Sequence, residues 1–343
     1  MKKQLVLFVS VLLNAIIFTA YADKQDKSPY MTRTFPASSV KEVEAVTSGG
    51  SLSLTGDVDS KAVVEVYVSR DDWSNEKIKK ALEENYTLEI KVENGKLYVA
   101  AKQKKSFSNW NSQGLSISFK IRVPKQVNSN LQTSGGSIAI SNLSGSQNFK
   151  TSGGSLSIEN VSGNTLGSTS GGSISVTDSK DNIELKTSGG SIRAKDCNGK
   201  ISLKTSGGSL SLSNLTGDIH AATIGGSVHA SNIKGTFKTG TSGGSMKLDN
   251  ISGNLDASTS GGSMDVRITS TNEAVKLSNS GSINLTLPAG KGYKLNVRGN
   301  KVETSGLKNF SGTMENSNVE GTVGNGGPEI NVRSSQRVRI TFE

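Results

Sequence analysis

Hydrophobic and polar residues alternate along most of this chain, and between residues 135 and 278 the alternation restarts every 18 residues. When each repeat is counted from the first glycine of a Gly-Gly pair, apolar side chains fall at positions 4, 6 and 9, and often at 13 and 15. A spacing of two predicts a β-strand with one buried face, so each repeat should contain two short strands. The first glycines of the regular pairs are residues 135, 153, 171, 189, 207, 225, 243 and 261.

Residues that tolerate unusual backbone angles separate the predicted strands. Asn or Asp stands at position 8 of successive repeats, and in most of them Gly follows three residues later. Gly and Asn adopt positive φ easily, so the Gly-Gly and Asn-x-x-Gly stretches are predicted turns. One such unit cannot bury its own apolar face, whereas stacked units bury a continuous narrow core. The pattern therefore predicts an all-β, single-chain β-solenoid (β-helix) of 18-residue coils, and the general crossover rule favours right-handed winding.

The residues on either side of the repeats are predicted to cap the solenoid. Alternating segments before the repeats predict strands, and residues 74–85 predict one short helix with Ser74 as its N-cap. Atypical ends are expected because an open coil edge would pair with other chains. Within one β-solenoid domain at 30–343, we expect N-terminal strands and a cap with an insertion at 30–125, regular coils at 126–285 and a C-terminal β cap at 286–343.

The order of three motifs resembles a known family. The lead-in "IRVPKQV" precedes repeats of "TSGGSI" or "TSGGSL", and "LSNSGSINLTLPAGKGYKL" follows them. In this order the motifs resemble the bacterial putative-adhesin family, a domain of unknown function with TSGGS-type β-helical repeats, common in Bacteroidetes-like envelope proteins. The resemblance covers nearly all of the expected mature chain. It implies a β-helical fold and an extracytoplasmic setting, and it implies no catalytic residues.

The first 22 residues have the pattern of a secretory signal peptide. Two lysines precede an apolar stretch, and an Ala-Tyr-Ala sequence ending at Ala22 offers a cleavage site before Asp23. We expect 1–22 to be removed and 23–29 to form a short linker. The mature chain, without a transmembrane span, would then be periplasmic, surface-exposed or secreted. An uncleaved membrane anchor is the alternative.

The composition changes this picture in two ways. Loss of the two signal-peptide lysines would leave a formal charge of +8, two less than the +10 of the full sequence. A basic surface favours anionic partners, so we expect an anionic glycan, an envelope lipid or another envelope protein, while export argues against nucleic acid. Cys197 is the only cysteine, so no disulfide within the chain can stabilise it in an oxidising compartment.

Outward positions 5 and 7 bring five polar residues together near the last regular coils. They are His229, Lys247, Asp249, Asp265 and Arg267. One interpretation is the acid–base site of a carbohydrate-processing β-helix enzyme, a lyase or hydrolase acting on polysaccharide. The other is a pair of cross-strand ion pairs, Lys247 with Asp265 and Asp249 with Arg267, that fix the register of similar coils. We favour the second interpretation and predict no catalytic residues and no enzymatic activity.

No metal or cofactor is predicted. β-Rolls that bind calcium repeat the sequence G-G-x-G-x-D, and the corner here lacks an acidic residue at that offset. Serine occupies position 3 of every coil. Such a row of hydroxyl groups is suited to binding a polysaccharide or ice. Small polar residues are equally typical of a solvated β face with no ligand.

A less regular segment at 100–114 is the predicted binding site. It contains Lys102, Lys104, Lys105, Phe107 and Trp110. Basic side chains beside exposed aromatic rings bind anionic glycans and lipid head groups, although Trp110 would pack onto the cap if the segment were only a solvated hairpin. The sequence thus predicts a non-enzymatic, exported cell-envelope protein that acts as an adhesin or as a structural binding scaffold.

Overall fold

A computed structural model describes residues 28–104 and 114–343. The described residues form strands, one 3₁₀ turn (Ala37–Ser39) and one α-helix, α1 (Asn75–Asn85). The first strands are β1 (Met31–Pro36), β2 (Glu42–Val46), β3 (Leu52–Gly56), β4 (Lys61–Ser69), β5 (Tyr86–Glu93), β6 (Lys96–Gln103), β7 (Ser116–Val123) and β8 (Asn128–Gln132). The predicted signal peptide and most of the predicted linker lie outside the described residues.

The remaining strands cover the regular repeats and the C-terminal end. Those of the repeats are β9 (Ile138–Lys150), β10 (Leu156–Thr169), β11 (Ile174–Thr177), β12 (Lys180–Thr187), β13 (Ile192–Thr205), β14 (Leu210–Ala222), β15 (Val228–Thr241), β16 (Met246–Thr259), β17 (Met264–Ser270), β18 (Val275–Asn279) and β19 (Ile283–Leu287). Those of the end are β20 (Tyr293–Arg298), β21 (Lys301–Ser305), β22 (Phe310–Met314), β23 (Asn318–Val323), β24 (Glu329–Ser334) and β25 (Arg337–Phe342). No helix in the described part of the chain is long and apolar enough to cross a membrane.

Equivalent positions of successive repeats pair in parallel. Leu210 of β14, for example, pairs with Ile192 of β13 and with Val228 of β15. In that coil, every position predicted to be apolar, from Leu210 to Ala221, is buried. The core is therefore a narrow column of aliphatic side chains inside the stack, as the spacing predicts. Right-handed winding stays a prediction.

The Thr-Ser-Gly-Gly corner is held by a buried hydroxyl. Thr205 Oγ1 donates to the carbonyl oxygen of Gly190 at 2.7 Å and accepts from the N–H of Gly208 at 3.3 Å. A Cβ on Gly208 would lie 2.2 Å from the same carbonyl oxygen, so this position has room only for glycine. The donated bond recurs, at 2.7–2.9 Å, from Thr133, Thr151, Thr169, Thr187, Thr223, Thr241 and Thr259.

The opposite corner is a ladder of amide side chains. Asn214 and Asn232 have φ of 55° and 56°, the left-handed conformation that Asn tolerates better than most residues. Asn232 Nδ2 donates to Asn214 Oδ1 at 2.9 Å. The predicted turns thus also supply hydrogen bonds between coils.

At the N-terminal end, one coil lies between two others that are distant in sequence. β2 pairs in parallel with β6 and β8, and β3 pairs in parallel with β7 and β9. A separate Thr-Ser-Gly-Gly copy at 47–50 therefore stacks on the first regular coil, where the N–H of Ser137 donates to Ser51 Oγ across 86 residues of sequence. The segment between this copy and the first regular coil contains α1. Its predicted N-cap, Ser74, accepts from the N–H of Lys77.

At the C-terminal end too, one coil is inserted between two others, but here the inserted coil comes last in the sequence. β24 and β25 lie between β18 and β19 on one side and β20 and β21 on the other, all in parallel. β22 and β23 form an antiparallel extension on β20. Each end of the stack therefore contains an inserted coil, and antiparallel strands lie beyond it. The exact domain boundaries stay predictions.

Candidate functional site

The five-residue polar patch (His229, Lys247, Asp249, Asp265 and Arg267) lies on one exposed face, as the register requires. Arg267 Nε lies 3.5 Å from Asp249 Oδ1, which is one of the two predicted ion pairs. Lys247 pairs in register with Asp265, but the ion pair predicted between these two described residues does not form. Asp265 Oδ1 instead accepts from Asn284 Nδ2 at 2.6 Å.

The patch has the contacts of a structural cluster. Arg267 Nη1 also contacts Glu343 Oε2 at 2.9 Å, so this guanidinium joins two carboxylates from separate segments. The side chains of Asp249 and Arg267 are 55% and 52% exposed, in a shallow concavity of about 460 Å³. Because the carboxylates are exposed and already bonded to other side chains, this arrangement favours register fixing over a catalytic site.

The basic and aromatic segment lies only partly within the described residues. Lys102 Nζ contacts Glu89 Oε2 at 3.0 Å, and Lys102, with Lys91, lowers the pKa of the Glu89 carboxyl. Lys104 Nζ donates to the carbonyl oxygen of Glu83 near the end of α1. These two lysines thus have partners within the chain. Lys105, Phe107 and Trp110 lie outside the described residues, so the predicted site as a whole stays a prediction.

A second basic feature lies on the strand that precedes each Thr-Ser-Gly-Gly corner. Lys150, Lys186 and Lys204 all occupy position 16 of their coils, and we call them the lysine column. Lys186 and Lys204 are direct neighbours in register, while Ser168 separates Lys150 from Lys186. They line a groove of about 370 Å³ together with serine and threonine residues of the corners.

The lysine column has an excess of positive charge. Lys186 forms an ion pair with Glu184, and Lys186, followed by Lys204, lowers the pKa of that carboxyl. Lys150 and Lys204 form no ion pair with any described residue. Like charges opposite each other on neighbouring strands are destabilising, so the column costs stability unless an anion binds there.

The sequence contained the signal for this column. Residues 18 apart become neighbours, so Lys186 and Lys204 could have been paired by counting alone. The polar patch was predicted from outward positions 5 and 7, which do not include position 16. The column was therefore missed.

The serines at position 3 hold the coils together. The N–H of Ser173 donates to Ser155 Oγ at 3.2 Å, and the N–H of Ser155 donates to Ser137 Oγ at 3.1 Å. The same bond recurs where Ser51, Ser173, Ser191, Ser209 and Ser245 accept. These hydroxyls therefore have a structural role whether or not a ligand binds. Within the described ranges, no three His, Cys, Asp or Glu side chains converge as metal ligands would.

The family match concerns mainly the second half of the chain. Residues 173–336, just under half of the chain, match the family described as Toastrack DUF4097. No curated protein matches. This family match agrees with the resemblance to a domain of unknown function, while the assignment of TSGGS-type repeats to the family stays a prediction.

Several solved structures are similar to the chain at low identity. A "putative adhesin" from Bacteroides fragilis NCTC 9343 is 15% identical over 73% of this chain and 96% of its own, with a TM-score of 0.33. A "putative adhesin" from Parabacteroides distasonis ATCC 8503 is 10% identical over 92% and 98%, with a TM-score of 0.34. A "putative lipid binding protein" from the same organism is 18% identical over 92% and 97%, with a TM-score of 0.31. At these values the similarity carries no argument about function.

Proposed function

We propose that the protein is a non-enzymatic, exported binding scaffold of the cell envelope, an adhesin-like module that holds an acidic polysaccharide along the lysine column. The observation that carries this proposal is the alignment of Lys150, Lys186 and Lys204 in one groove, where Glu184 is the one carboxylate among the described residues that pairs with them. The fold supports it because parallel pairing keeps the three lysines on one line.

The geometry suits a long, repetitive anion. Neighbouring strands are about 4.8 Å apart, so Lys186 and Lys204 present charges at that interval and Lys150 lies two coils further along. A linear chain with a carboxylate on each sugar can follow the stack axis and meet the lysines in turn. The lysines need no backbone rearrangement to bind it, which lowers the entropic penalty of binding. Serine and threonine hydroxyls in the groove add hydrogen-bonding groups for neutral parts of the sugar.

A carbohydrate-processing enzyme at the polar patch is the weaker proposal. Its two aspartates are exposed and already bonded, Asp249 to Arg267 and Asp265 to Asn284. A glycosidase needs a carboxylic acid whose environment raises its pKa. Degradation of the bound polysaccharide by the purified protein would support the enzyme and contradict the scaffold.

Binding of a defined acidic polysaccharide tests the proposal. Polygalacturonate is titrated calorimetrically into the mature chain and into the variant Lys186→Gln/Lys204→Gln. The matched control is Lys120→Gln/Lys234→Gln, which removes two exposed lysines outside the column. Exposed ion pairs contribute about 0.2–1 kcal/mol each, so the column variant should bind about two- to thirtyfold more weakly. Equal weakening in the control would show that only net charge matters.

Cell location is tested separately by protease treatment of intact cells of the source bacterium. A scaffold that faces the surroundings should be cleaved by external protease. A periplasmic scaffold should survive until the outer envelope is broken, and its ligand would then be an envelope component. Recovery of the chain in the cytoplasm would contradict the proposal that the protein is exported.

A further inference from the structure

The C-terminal end of the stack contains a pocket that differs from the grooves along its faces. Three loops, at 289–292, 306–309 and 323–325, surround a volume of about 560 Å³ together with Phe342. This volume lies within the range of about 300–1,000 Å³ typical of small-molecule sites. We call it the end pocket.

Backbone hydrogen bonds tie the loops of the end pocket to neighbouring segments. The N–H of Ala289 donates to a main-chain oxygen of Glu343 at 2.7 Å, and the N–H of Glu343 donates to the carbonyl oxygen of Leu287 at 3.0 Å. The N–H of Gly324 donates to the carbonyl oxygen of Asn309 at 2.8 Å, which joins the second and third loops. The pocket is therefore formed before any ligand arrives, and binding needs little ordering of the chain.

Two lysines on different loops line the end pocket. Lys291 and Lys308 are exposed and form no hydrogen bond or ion pair with any described residue. The nearby carboxylate of Glu343 is bound by Arg267 at 2.9 Å. Neither ammonium group is therefore engaged in an ion pair within the described chain.

The rest of the lining combines glycine backbone and two asparagine side chains with an apolar floor. Gly290, Gly306 and Gly324 have φ of 72°, 73° and 58°, so peptide groups rather than side chains form part of the rim. Val323 and Phe342, 6% and 8% exposed, form the apolar part of the pocket.

We infer that the end pocket binds a phosphate group carried on a larger organic molecule. A phosphate monoester has a charge of about −1.5 to −2 at neutral pH, which Lys291 and Lys308 would balance. Lysine binds phosphate as a point charge, and two lysines but no carboxylate side chain line this pocket. The volume left beside one phosphate, above Val323 and Phe342, would take an uncharged or apolar part of the ligand.

This site is independent of the proposed polysaccharide site. The lysine column lies on β9, β12 and β13, whereas the end pocket is built from the loops that follow β19, β21 and β23. A failure of polysaccharide binding would leave the inference about the end pocket untouched. The same phosphate chemistry occurs in a lipid head group and in a soluble phosphate ester, and the test separates the two.

The test uses the mature chain with three probes: inorganic phosphate, glycerol 1-phosphate, and vesicles containing phosphatidic acid or only phosphatidylcholine. The variant is Lys291→Gln/Lys308→Gln, and the matched control is Lys120→Gln/Lys276→Gln. We expect saturable binding of a phosphate-containing probe that the variant weakens about tenfold or more, because two charge-assisted contacts are lost. The control and the lysine-column variant should bind as the unaltered chain does.

Each outcome of this test has a definite meaning. Binding of glycerol 1-phosphate supports the inference with a soluble source, and binding only of phosphatidic acid vesicles supports it with a lipid source. Absence of saturable binding to every phosphate probe would overturn the inference. Equal weakening in Lys120→Gln/Lys276→Gln would also overturn it, since net charge alone would then explain the binding. Melting temperatures within a few degrees of one another would show that the variants are folded.

Discussion

The buried hydroxyl of Thr205 donates to the carbonyl oxygen of Gly190, the residue one coil before Gly208, at 2.7 Å. The same hydroxyl accepts from the N–H of Gly208. One threonine thus joins the corners of two successive coils. Because the bond recurs along the stack, these corners contribute stability that a core of limited width cannot supply alone.

Loss of this hydroxyl should destabilise the stack. In Thr205→Val the side-chain shape is kept, but the Gly190 carbonyl and the Gly208 N–H lose their partner in a site that is only 5% exposed. Leaving buried polar groups unpaired costs about 1–3 kcal/mol. The free energy of unfolding in urea should fall by that amount, whereas Ser206→Ala, at the exposed neighbouring position, should change it by less than about 0.5 kcal/mol. Similar values for the two variants would contradict the structural role of the threonine.

The two glycines of each corner should differ in their tolerance of a methyl group. A Cβ on Gly154 would lie 2.0 Å from the carbonyl oxygen of Gly136, whereas a Cβ on Gly153 meets no atom closer than 3.6 Å. Gly154→Ala forces backbone movement and should cost about 2 kcal/mol or more. Gly153→Ala should cost clearly less. Thermal or urea unfolding of the pair measures the difference, and equal losses would contradict this packing of the coils.

Cys197 should make stability depend on pH in the alkaline range. Burial raises the pKa of its thiol, and the carboxylates of Asp178 and Asp196 raise it further. The unfolded chain therefore releases the thiol proton at lower pH than the folded chain does. The stability that the protonated thiol contributes is complete below the unfolded thiol pKa of about 8.5. It is lost as the pH rises from there through the higher pKa of the folded chain.

The matched variant for this prediction is Cys197→Ala, which has no thiol. Comparison of unfolding free energies at pH 7 and pH 10 should show a larger decrease for the unaltered chain than for the variant. A decrease of equal size in both proteins would mean that the thiol does not contribute. The folded chain should also react slowly with a thiol reagent, because Cys197 is only 2% exposed and the thiolate is the reactive form.

The ion pair of Arg267 should contribute little and should weaken in salt. Asp249→Asn removes one of the two carboxylates that this guanidinium contacts. An exposed pair is worth about 0–1 kcal/mol, so the melting temperature should change by only a few degrees, and by less at 1 M salt. A loss of several kcal/mol would show that the polar patch does more than fix register.

The regular coils were largely predictable, because their information is local and repeated. Leu210 and Leu212 are buried two residues apart as the strand period requires, and Asn214 stands at the predicted turn. The lysine column was also accessible, since the repeat length alone makes Lys186 and Lys204 neighbours.

The two ends of the stack were less predictable, because their pairings are not local. Nothing in the period indicates that Ser51 meets Ser137 across 86 residues or that β24 and β25 enter between two earlier strand pairs. The end pocket depends on that insertion, since its loops converge only after β25 returns beside β19 and β21. Lys291 and Lys308 therefore have no shared motif in the sequence.

The most direct test of the central proposal is the affinity of galacturonate oligomers of increasing length. Lys150 and Lys204 are three coils apart, about 14–15 Å along the stack. The dissociation constant should fall with each added sugar until the oligomer spans this distance, and should then fall only slowly. The variant Lys186→Gln/Lys204→Gln should lose this length dependence. An affinity that does not change with length, or that changes equally in the variant, would contradict binding along the lysine column.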